Sequence, residues 1–503
     1  MADKKISDLP AATAPTGSEL LPAVQGGANV KMTATQLVSL AGGSNPGVMA
    51  NGHRMFVDGD SKGVLAGQYG PNSVLFFQQA ANPLSYAYDP ATDDMAVGGS
   101  LSDTRADAGT DAYGNTVPLG MTHPTRIARA VARVNAGCDV CLIQIGTNDH
   151  SLSGQDNGAA PGSTLANVIV YHKALRAAGL KWLVIMAVDT WSAPSTAALA
   201  RTRLAINRGL RAYAEANPDV LFVDTDPYII DPASAVGGML GGTSGSFTGG
   251  PGSATRDGTH ESTYGAWAKG RALASVLARI FPPATLRTMS NADAYNATGA
   301  LRGNLYANGL ASGTGGSTAL LYDGTITNGG NAPAGWYFSG SIAGLTADFG
   351  TSDPVNDWLN KLTGRTDLKV KRITLAGTPS ADGYITCNPG YGQTVVPVAG
   401  AAYEAQFAIV LNALTGCHGI GMGYGTNLEA LSYGGVDSAN MAVSKLPPLD
   451  GPHLIGFPAP YTPTGSPTRI TTSLSFYFRS GVPVSGSIDL ISADLRQISA
   501  LPS

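Results

Sequence analysis

The spacing of the apolar residues changes once along this chain of 503 residues, near residues 282–296. Before that point, short apolar runs alternate with segments of helical spacing, and after it apolar and polar residues alternate one by one. Continuous apolar runs separated by helices are typical of a parallel sheet that is covered on both faces. Strict alternation is typical of strands with one buried face. The sequence therefore predicts an α/β domain followed by an antiparallel β-sandwich.

The strands and helices of the first part can be placed from this spacing. The predicted strands are residues 55–57, 140–145, 182–188 and 220–223. The predicted helices are residues 123–136, 163–178, 194–216 and 261–281. A further candidate strand ends at Val97. Because loops at the carboxyl ends of parallel strands carry function in such sheets, we expect a site there.

The second part has the pattern of a sandwich, and we expect a jelly roll. Residues 403–411 carry an apolar side chain at every odd position, which predicts one buried face. The segment Asn304-Leu305 and residues 331–336 resemble the opening segments of jelly-roll carbohydrate-binding modules. Trp336 and Tyr337 would stack on sugar faces there, although a place in the sandwich core is commoner for aromatic residues.

Composition excludes several classes of protein. Charged residues make up 13 % of the chain and the formal net charge is −4. Without a basic excess to neutralise phosphates, we expect no nucleic-acid partner. No stretch approaches ~18 consecutive apolar residues, so we expect no membrane insertion. The first ten residues lack the apolar core of a signal peptide, which predicts folding in a reducing cytoplasm.

The four cysteines are too few for a disulfide scaffold. Cys138 and Cys141 have the spacing of half a metal or redox site, but no second Cys/His pair accompanies them. We interpret both as buried free thiols.

Four short motifs stand where the predicted strands end or the last helix begins. They are Gly59-Asp60-Ser61, Val97-Gly98-Gly99-Ser100, Gly146-Thr147-Asn148-Asp149 and Asp257-Gly258-Thr259-His260. Each alone fits a turn or a helix cap. Their joint order and their placement at strand ends favour a shared site.

The residue types in these motifs are those that ester hydrolysis requires. Ser61 is the candidate nucleophile, and it needs a histidine nitrogen within about 3 Å to take its proton. His260 is the candidate base, and Asp257, three residues before it, can hold one tautomer. Candidate oxyanion donors are the backbone N–H groups of Ser61 and Gly99 and the side-chain amide of Asn148.

The four motifs resemble the four blocks of the SGNH (GDSL-type) hydrolase family, over residues 50–282. Those blocks supply, in order, the serine, glycine, asparagine and histidine named above. The resemblance implies a flavodoxin-like three-layer α/β sandwich and an acyl-enzyme mechanism that needs no metal and no cofactor. Gly98 is an alternative for the glycine. Lys62 replaces the more usual apolar residue after the serine, and we expect it to place a charge at the pocket mouth.

Other enzyme interpretations are weaker. Residues 59–63 also fit G-x-S-x-G, the nucleophile elbow of α/β-hydrolases. That fold is disfavoured because the serine follows the first strand and the acid lies only three residues before the histidine. For glycosidic cleavage no candidate pair of carboxylates stands out.

Several residues near the motifs have two interpretations. Trp191 follows a strand end and either walls the substrate cleft or caps the sheet. His150 lines the cleft or lies in a solvated loop. The glycine-rich residues 235–256 form a lid or a plain surface loop. His172 shares a helical face with apolar residues and is interpreted as structural.

Residues 1–43 form a short unit with a predicted turn at Gly26-Gly27 and a predicted helix over residues 34–40. The unit is too small for a core of its own. It resembles the short module near the N-termini of bacteriophage tail fibres and tailspikes. The predicted domains are therefore residues 1–43, an esterase domain of residues 44–290, and a carbohydrate-binding or trimerisation domain of residues 291–503.

Together the two resemblances imply a phage tailspike that removes O-acetyl groups from the capsule or O-antigen of its host. They imply a homotrimer in the virion tail, with other tail or baseplate proteins as partners, assembled in the host cytoplasm. One alternative is a receptor-binding adhesin whose esterase fold is vestigial. Another is a bacterial cell's own carbohydrate esterase.

Overall fold

The computed structural model describes residues 20–25, 28–33, 53–67, 73–111, 114–151, 161–189, 196–234, 238–240, 253–284, 304–350, 370–390, 397–398, 400–426, 430–435, 446–456 and 461–498. In the N-terminal unit, β1 (Leu20–Gln25) and β2 (Ala28–Thr33) pair antiparallel. The predicted turn at Gly26-Gly27 and the predicted helix over residues 34–40 lie outside the described residues.

The α/β part alternates strands and helices. Its strands are β3 (Arg54–Gly59), β4 (Ala108–Thr110), β5 (Thr116–Pro118), β6 (Cys138–Gln144), β7 (Trp182–Met186) and β8 (Val220–Val223). Its helices are α1 (Ser61–Gly67), α2 (Val74–Ala81), α3 (Pro90–Asp93), α4 (Pro124–Asn135), α5 (Thr147–Ser151), α6 (Pro161–Ala177), α7 (Ala197–Ala216), α8 (Asp226–Ile229) and α9 (Thr263–Leu277).

Strands β3, β6, β7 and β8 form one parallel sheet in that order. Apolar side chains on both faces of the sheet are buried. In β6, Val140 and Leu142 belong to one hydrophobic cluster, whereas Cys141 and Ile143 belong to another. Both faces are covered, which explains why the strands read as continuous apolar runs and confirms the predicted α/β sandwich.

The candidate strand that ends at Val97 is an irregular edge segment. It runs parallel to β3, with bridges from Arg54 to Ala87 and from Val57 to Asp94. The helical turn α3 interrupts the pairing between these two bridges. Even so, the backbone N–H of Val97 donates to the carbonyl of Gly59 at 3.1 Å, which brings the residues after Val97 to the carboxyl end of β3.

Helix α7 begins three residues later than predicted. The hydroxyl of Thr196 accepts a hydrogen bond from the backbone N–H of Leu199 at 3.2 Å, so Thr196 is the N-cap. Ile206 and Leu210 on its predicted apolar face are fully buried. Pro194, the predicted first-turn proline, lies outside the described residues.

The second part consists of two six-stranded sheets. The strands are β9 (Ser317–Tyr322), β10 (Thr325–Thr327), β11 (Tyr337–Ser341), β12 (Leu345–Phe349), β13 (Lys371–Gly377), β14 (Gly383–Asn388), β15 (Tyr403–Thr415), β16 (Cys417–Thr426), β17 (Ala430–Gly435), β18 (Leu449–Gly456), β19 (Ile470–Phe478) and β20 (Val484–Gln497). The orders are β10-β12-β13-β20-β15-β18 and β17-β16-β19-β14-β11-β9.

Most neighbouring strands of these sheets pair antiparallel, which confirms the predicted antiparallel sandwich. The edge strands β9 and β10 depart from this pattern, because β9 pairs parallel with β11 and β10 pairs parallel with β12.

The burial in β15 is broader than the alternation predicts. The odd positions of residues 403–411 are buried in the main core. On the opposite face, Ala408 and Val410 are also buried, in a small cluster with Val370, Leu454 and Ile491. Apolar side chains of β18 and β20 shield this outer face, so β15 is apolar on both sides over this stretch.

Trp336 is 1 % exposed and lies in the sandwich core, where its Nε1–H donates to the carbonyl of Asn308 at 3.1 Å. Of the two placements considered for Trp336, the structure shows the commoner one, in the sandwich core. Tyr337 is half-buried.

The α/β part and the sandwich share a hydrophobic cluster. Helix α2 packs against α9 on one side and against β18 on the other. At this contact the Nδ1–H of His453 donates to the carbonyl of Ala80 at 2.7 Å. The predicted boundary at residues 282–296 falls mostly outside the described residues, so the division into domains stays a prediction. Among the described helices, none has the length and apolar character to cross a bilayer.

Candidate active site

Ser61 lies at the carboxyl edge of the parallel sheet because the chain turns sharply at Gly59. The φ of Gly59 is +141°, and a Cβ there would lie 2.0 Å from the carbonyl oxygen of Gln144 on the neighbouring strand. Only glycine fits this close approach. Ser61 then begins α1, so its N–H is among those that a helix start leaves without an intrahelical partner.

His260 contacts both Ser61 and Asp257. Its Nε2 lies 3.1 Å from Ser61 Oγ, and its Nδ1 lies 2.6 Å from Asp257 Oδ2. The other oxygen of Asp257 accepts from the backbone N–H of His260 at 2.6 Å and of Thr259 at 2.9 Å. The carboxylate is therefore fixed by its own loop, and it fixes the imidazole in turn.

The hydrogen bonds around Asp257 decide its charge. Burial alone would raise the pKa of this carboxyl, but the hydrogen bonds from His260 and Thr259 outweigh burial and hold the pKa below its usual range. The side chains of Asp257 and His260 are 43 % and 29 % exposed, respectively. An ionised Asp257 stabilises a positive charge on the imidazole, which proton transfer from Ser61 would create.

Gly99 lies in a tight turn beside Ser61. The N–H of Ser100 donates to the carbonyl of Val97 at 3.2 Å, and Gly99 has a φ of +79°, as the third residue of a type II turn requires. A Cβ built on Gly98 would lie 3.9 Å from Ser61 Cβ. The turn therefore borders the nucleophile.

Asn148 is tied to the same turn. It lies in α5, directly after β6, and its Nδ2 donates to the carbonyl of Ser100 at 2.9 Å. An amide nitrogen carries two N–H donors, and among the described residues only the carbonyl of Ser100 accepts from this one, which leaves the second for an incoming oxygen. The neighbouring Asp149 accepts from the hydroxyl of Ser102 at 2.6 Å, which fastens α5 to the chain that follows the turn.

Arg126 organises this region and was missed by the sequence analysis. The buried guanidinium donates to Asp58 at 2.5 Å, to the carbonyl of Gly59 at 2.6 Å and to the hydroxyl of Ser100 at 2.6 Å. It thus joins the end of β3 to the Gly99 turn. The available signal was its position on α4, because Arg126 shares its helical face with the buried residues Ala130 and Val134.

The position of Lys62 differs from the one predicted from the sequence. The expected charge at the pocket mouth is absent there, because Lys62 is fully buried. Its Nζ donates to the carbonyl of Thr259 and lies 3.4 Å from Asp189 and 3.5 Å from Glu261. These partners draw the side chain inward.

Asp60, between Gly59 and Ser61, is also fully buried. Burial raises the pKa of its carboxyl to about 6, against the opposing hydrogen bond from the N–H of Lys62.

The remaining candidate residues are placed in part. His150 lies in α5 after Asn148, whereas Trp191 lies outside the described residues, as do residues 235–237 and 241–252 of the glycine-rich loop. His172 is buried, with Nδ1 2.8 Å from Tyr213 Oη, as a structural histidine should be. Cys138 and Cys141 are buried free thiols, as interpreted. Within the described ranges, no three His, Cys, Asp or Glu side chains are grouped to hold a metal ion.

No protein-family model and no curated protein matches this chain. Among solved structures it is similar to a carbohydrate esterase of family 3 from Talaromyces cellulolyticus, at 13 % identity over 45 % of this chain and 95 % of that one, with a TM-score of 0.29. It is similar to an acetyl esterase variant with an acetate ion, at 14 % identity over 45 % and 95 %, with a TM-score of 0.28. It is also similar to a family 61 carbohydrate-binding module in complex with β-1,4-galactotriose, at 13 % identity over 33 % and 90 %, with a TM-score of 0.20.

Proposed function

We propose that this chain is a serine carboxylic-ester hydrolase that removes O-acetyl groups from a bacterial surface polysaccharide. The observation that carries the proposal is the contact of His260 with both Ser61 and Asp257, at 3.1 and 2.6 Å. A hydroxyl, an imidazole and a carboxylate in this sequence of contacts form the arrangement that activates a serine.

In the first half of the proposed reaction, Ser61 Oγ attacks the acetyl carbonyl and its proton passes to His260 Nε2. Negative charge collects on the former carbonyl oxygen, where the N–H groups of Ser61 and Gly99 and the amide of Asn148 donate hydrogen bonds. His260 then returns the proton to the sugar oxygen as the C–O bond breaks. The sugar hydroxyl leaves, and the acetyl group stays on Ser61.

In the second half, water attacks the acetyl-serine and gives a proton to His260 Nε2. The tetrahedral intermediate collapses, the bond to Ser61 Oγ breaks, and His260 returns the proton to that oxygen. Acetate is released and the starting state is restored. Asp257 stays ionised throughout and stabilises the imidazolium, in keeping with its low pKa.

The choice of substrate and biological setting rests on the sequence of residues 1–43 and on the sandwich that follows the α/β part. A phage-tail module joined to an esterase favours a tailspike that deacetylates the capsule or O-antigen of its host. A homotrimer in the virion tail, in contact with other tail or baseplate proteins, belongs to the same proposal. We assign the sandwich of residues 291–503 to glycan binding or trimerisation, and light scattering of the full chain tests the trimer.

The test of the hydrolytic proposal is acetate release from a panel of acetylated bacterial polysaccharides, with labelling by a fluorophosphonate probe in parallel. We expect the wild-type chain to release acetate and to be labelled, and Ser61→Ala to lose both while its circular dichroism is unchanged. Ser275→Ala is the matched control, because that exposed serine only donates to the carbonyl of Ala272 at 2.8 Å.

Acetate release by Ser61→Ala at the wild-type rate would remove Ser61 from its role. A wild-type chain that binds polysaccharide but is neither labelled nor active would favour the adhesin alternative.

A further inference from the structure

Four charged side chains contact one another next to the candidate site, and the proposed reaction uses none of them. They are Lys62, Asp189, Glu261 and Lys269, and all four are fully buried. An unpaired buried charge is strongly destabilising, so such groups occur in balanced sets. Within this set of four, two cations face two carboxylates, and their formal charges cancel.

The two lysines differ in what they contact. Lys269 donates to both carboxylates, those of Asp189 and Glu261. Asp189 also accepts from the side chain of Gln144 at 2.7 Å and from the hydroxyl of Thr225 at 3.3 Å. The carboxylates therefore have close partners other than Lys62.

Lys62 stands farther from both acids, at 3.4 and 3.5 Å, and its close hydrogen bond is to the backbone carbonyl of Thr259. Lys62 directly follows Ser61, and Thr259 directly precedes His260. One hydrogen bond thus connects the segment of the nucleophile to the segment of the base, across 197 positions of the chain.

The peptide group between Thr259 and His260 is held at its other end as well, because the N–H of His260 donates to Asp257 Oδ1 at 2.6 Å. The loop that carries His260 is thereby fixed both by its own aspartate and by Lys62. Asp257 belongs to the same loop as this peptide, whereas Lys62 belongs to α1. The hydrogen bond from Lys62 therefore links the peptide to α1.

We infer that Lys62 is a positioning residue that sets the separation between Ser61 Oγ and His260 Nε2 by holding the carbonyl of Thr259. This inference rests on the proposed function. Through this hydrogen bond the side chain of Lys62 links α1 to the Asp257–His260 loop. A misplacement of about 1 Å in such a pair costs about 10²-fold in rate.

The competing explanation is that Lys62 only balances buried charge, and two double variants separate the explanations. Lys62→Met/Glu261→Gln removes one cation and one anion, so the charge stays balanced while the hydrogen bond to Thr259 is lost. Lys269→Met/Glu261→Gln makes the same change of charge but keeps that hydrogen bond. Each double variant is made separately in the full chain. Its kcat and KM are measured with p-nitrophenyl acetate, and its rate of fluorophosphonate labelling and its thermal midpoint are measured in parallel.

We expect Lys62→Met/Glu261→Gln to have kcat and labelling rate about 10- to 100-fold below those of Lys269→Met/Glu261→Gln, with KM within about twofold and similar thermal midpoints. Equal kcat values in the two double variants would overturn the inference. If Lys62→Met/Glu261→Gln does not fold, Lys62→Leu/Glu261→Gln is compared in the same way.

The failure of the proposed function looks different from the failure of this inference. A wild-type chain with neither ester turnover nor labelling refutes the hydrolase and the positioning role together. An active wild-type chain with two equal double variants refutes only the role of Lys62.

Discussion

At the scale of the residue, the candidate site depends on side chains 199 positions apart that meet at one edge of a sheet. Ser61 arrives on a strand that ends in a close backbone approach, and His260 arrives on a loop held by Asp257 and Lys62. Asp257 and His260 are partly exposed, whereas Lys62 and Arg126, which hold the surrounding segments in place, are buried.

Asn148 carries the first residue-scale prediction. Its amide is oriented by the hydrogen bond to the carbonyl of Ser100, and a second N–H is left for the developing oxyanion. We expect Asn148→Ala to lower kcat about 10²- to 10³-fold in an acetate-release assay. Asn412→Ala is the control, because Asn412 lies in β15 of the sandwich and its amide donates to the hydroxyl of Ser487 at 3.0 Å. A loss below about threefold in Asn148→Ala would mean that this amide does not face the oxyanion.

Asp60 carries a prediction about stability and pH. Burial raises the pKa of its carboxyl from the ordinary 3.8 to about 6 in the folded chain. Between these values the folded state binds more protons than the unfolded state, so its contribution to the free energy of unfolding falls as the pH rises from about 4 to 6.

Asp60→Asn cannot ionise and keeps an oxygen for the N–H of Lys62. We therefore expect this variant and the wild type to be similarly stable near pH 4, and the variant to be about 3 kcal/mol more stable above pH 6. Urea unfolding between pH 4 and 8 measures the difference. A difference that does not change with pH would contradict the prediction.

The residue types of the site could be predicted from sequence, because serine, asparagine, aspartate and histidine stand at strand ends in a recognisable order. The buried charges could not. Lys62 reads as a surface lysine, and only the fold shows that Thr259, Asp189 and Glu261 surround it. Pairing of this kind depends on contacts between distant segments, which residue spacing does not encode.

At the scale of the element, Arg126 is where α4, β3 and the Gly99 turn are joined. Removing one partner of a buried ion pair leaves the other charge uncompensated. We therefore expect Arg126→Met to lower the free energy of unfolding by about 3–5 kcal/mol, because the buried carboxylate of Asp58 loses its guanidinium partner. Urea unfolding measures this loss.

The control for this prediction lies on the same helix. The side chain of Arg133 is 29 % exposed and lies 4.0 Å from Asp93, so Arg133→Met should cost at most about 1 kcal/mol. Equal losses in the two variants would mean that Arg126 is not a structural junction.

The elements themselves were largely predictable. The apolar runs of β6, β7 and β8 and the helices between them follow from periodicity, with shifts of a few residues at their ends. The segment that ends at Val97 was predicted as a candidate strand, but its irregular form was not predictable, because α3 interrupts its pairing with β3. Local spacing also indicates which face of a strand is buried, but not which strand lies beside it, so the parallel pairs of β9 and β10 could not be foreseen.

At the scale of the whole molecule, the α/β part and the sandwich were predicted as separate folds, and the shared core between them was not. Helix α2 has no clean polar face, since residues 74–80 are all buried. We predicted no helix over these residues. In the structure it lies between α9 and β18, with the carbonyl of Ala80 bound by His453.

That position of α2 limits how such a protein can be recombined. A polypeptide ending at the junction would leave apolar side chains of α2, among them Phe76 and Phe77, without their cover. A different C-terminal half could be grafted on only if it presented a matching apolar surface and a hydrogen-bond donor for the Ala80 carbonyl. Among chains of this architecture, sequence change would therefore be tolerated in the loops of the sandwich more readily than replacement of the sandwich itself.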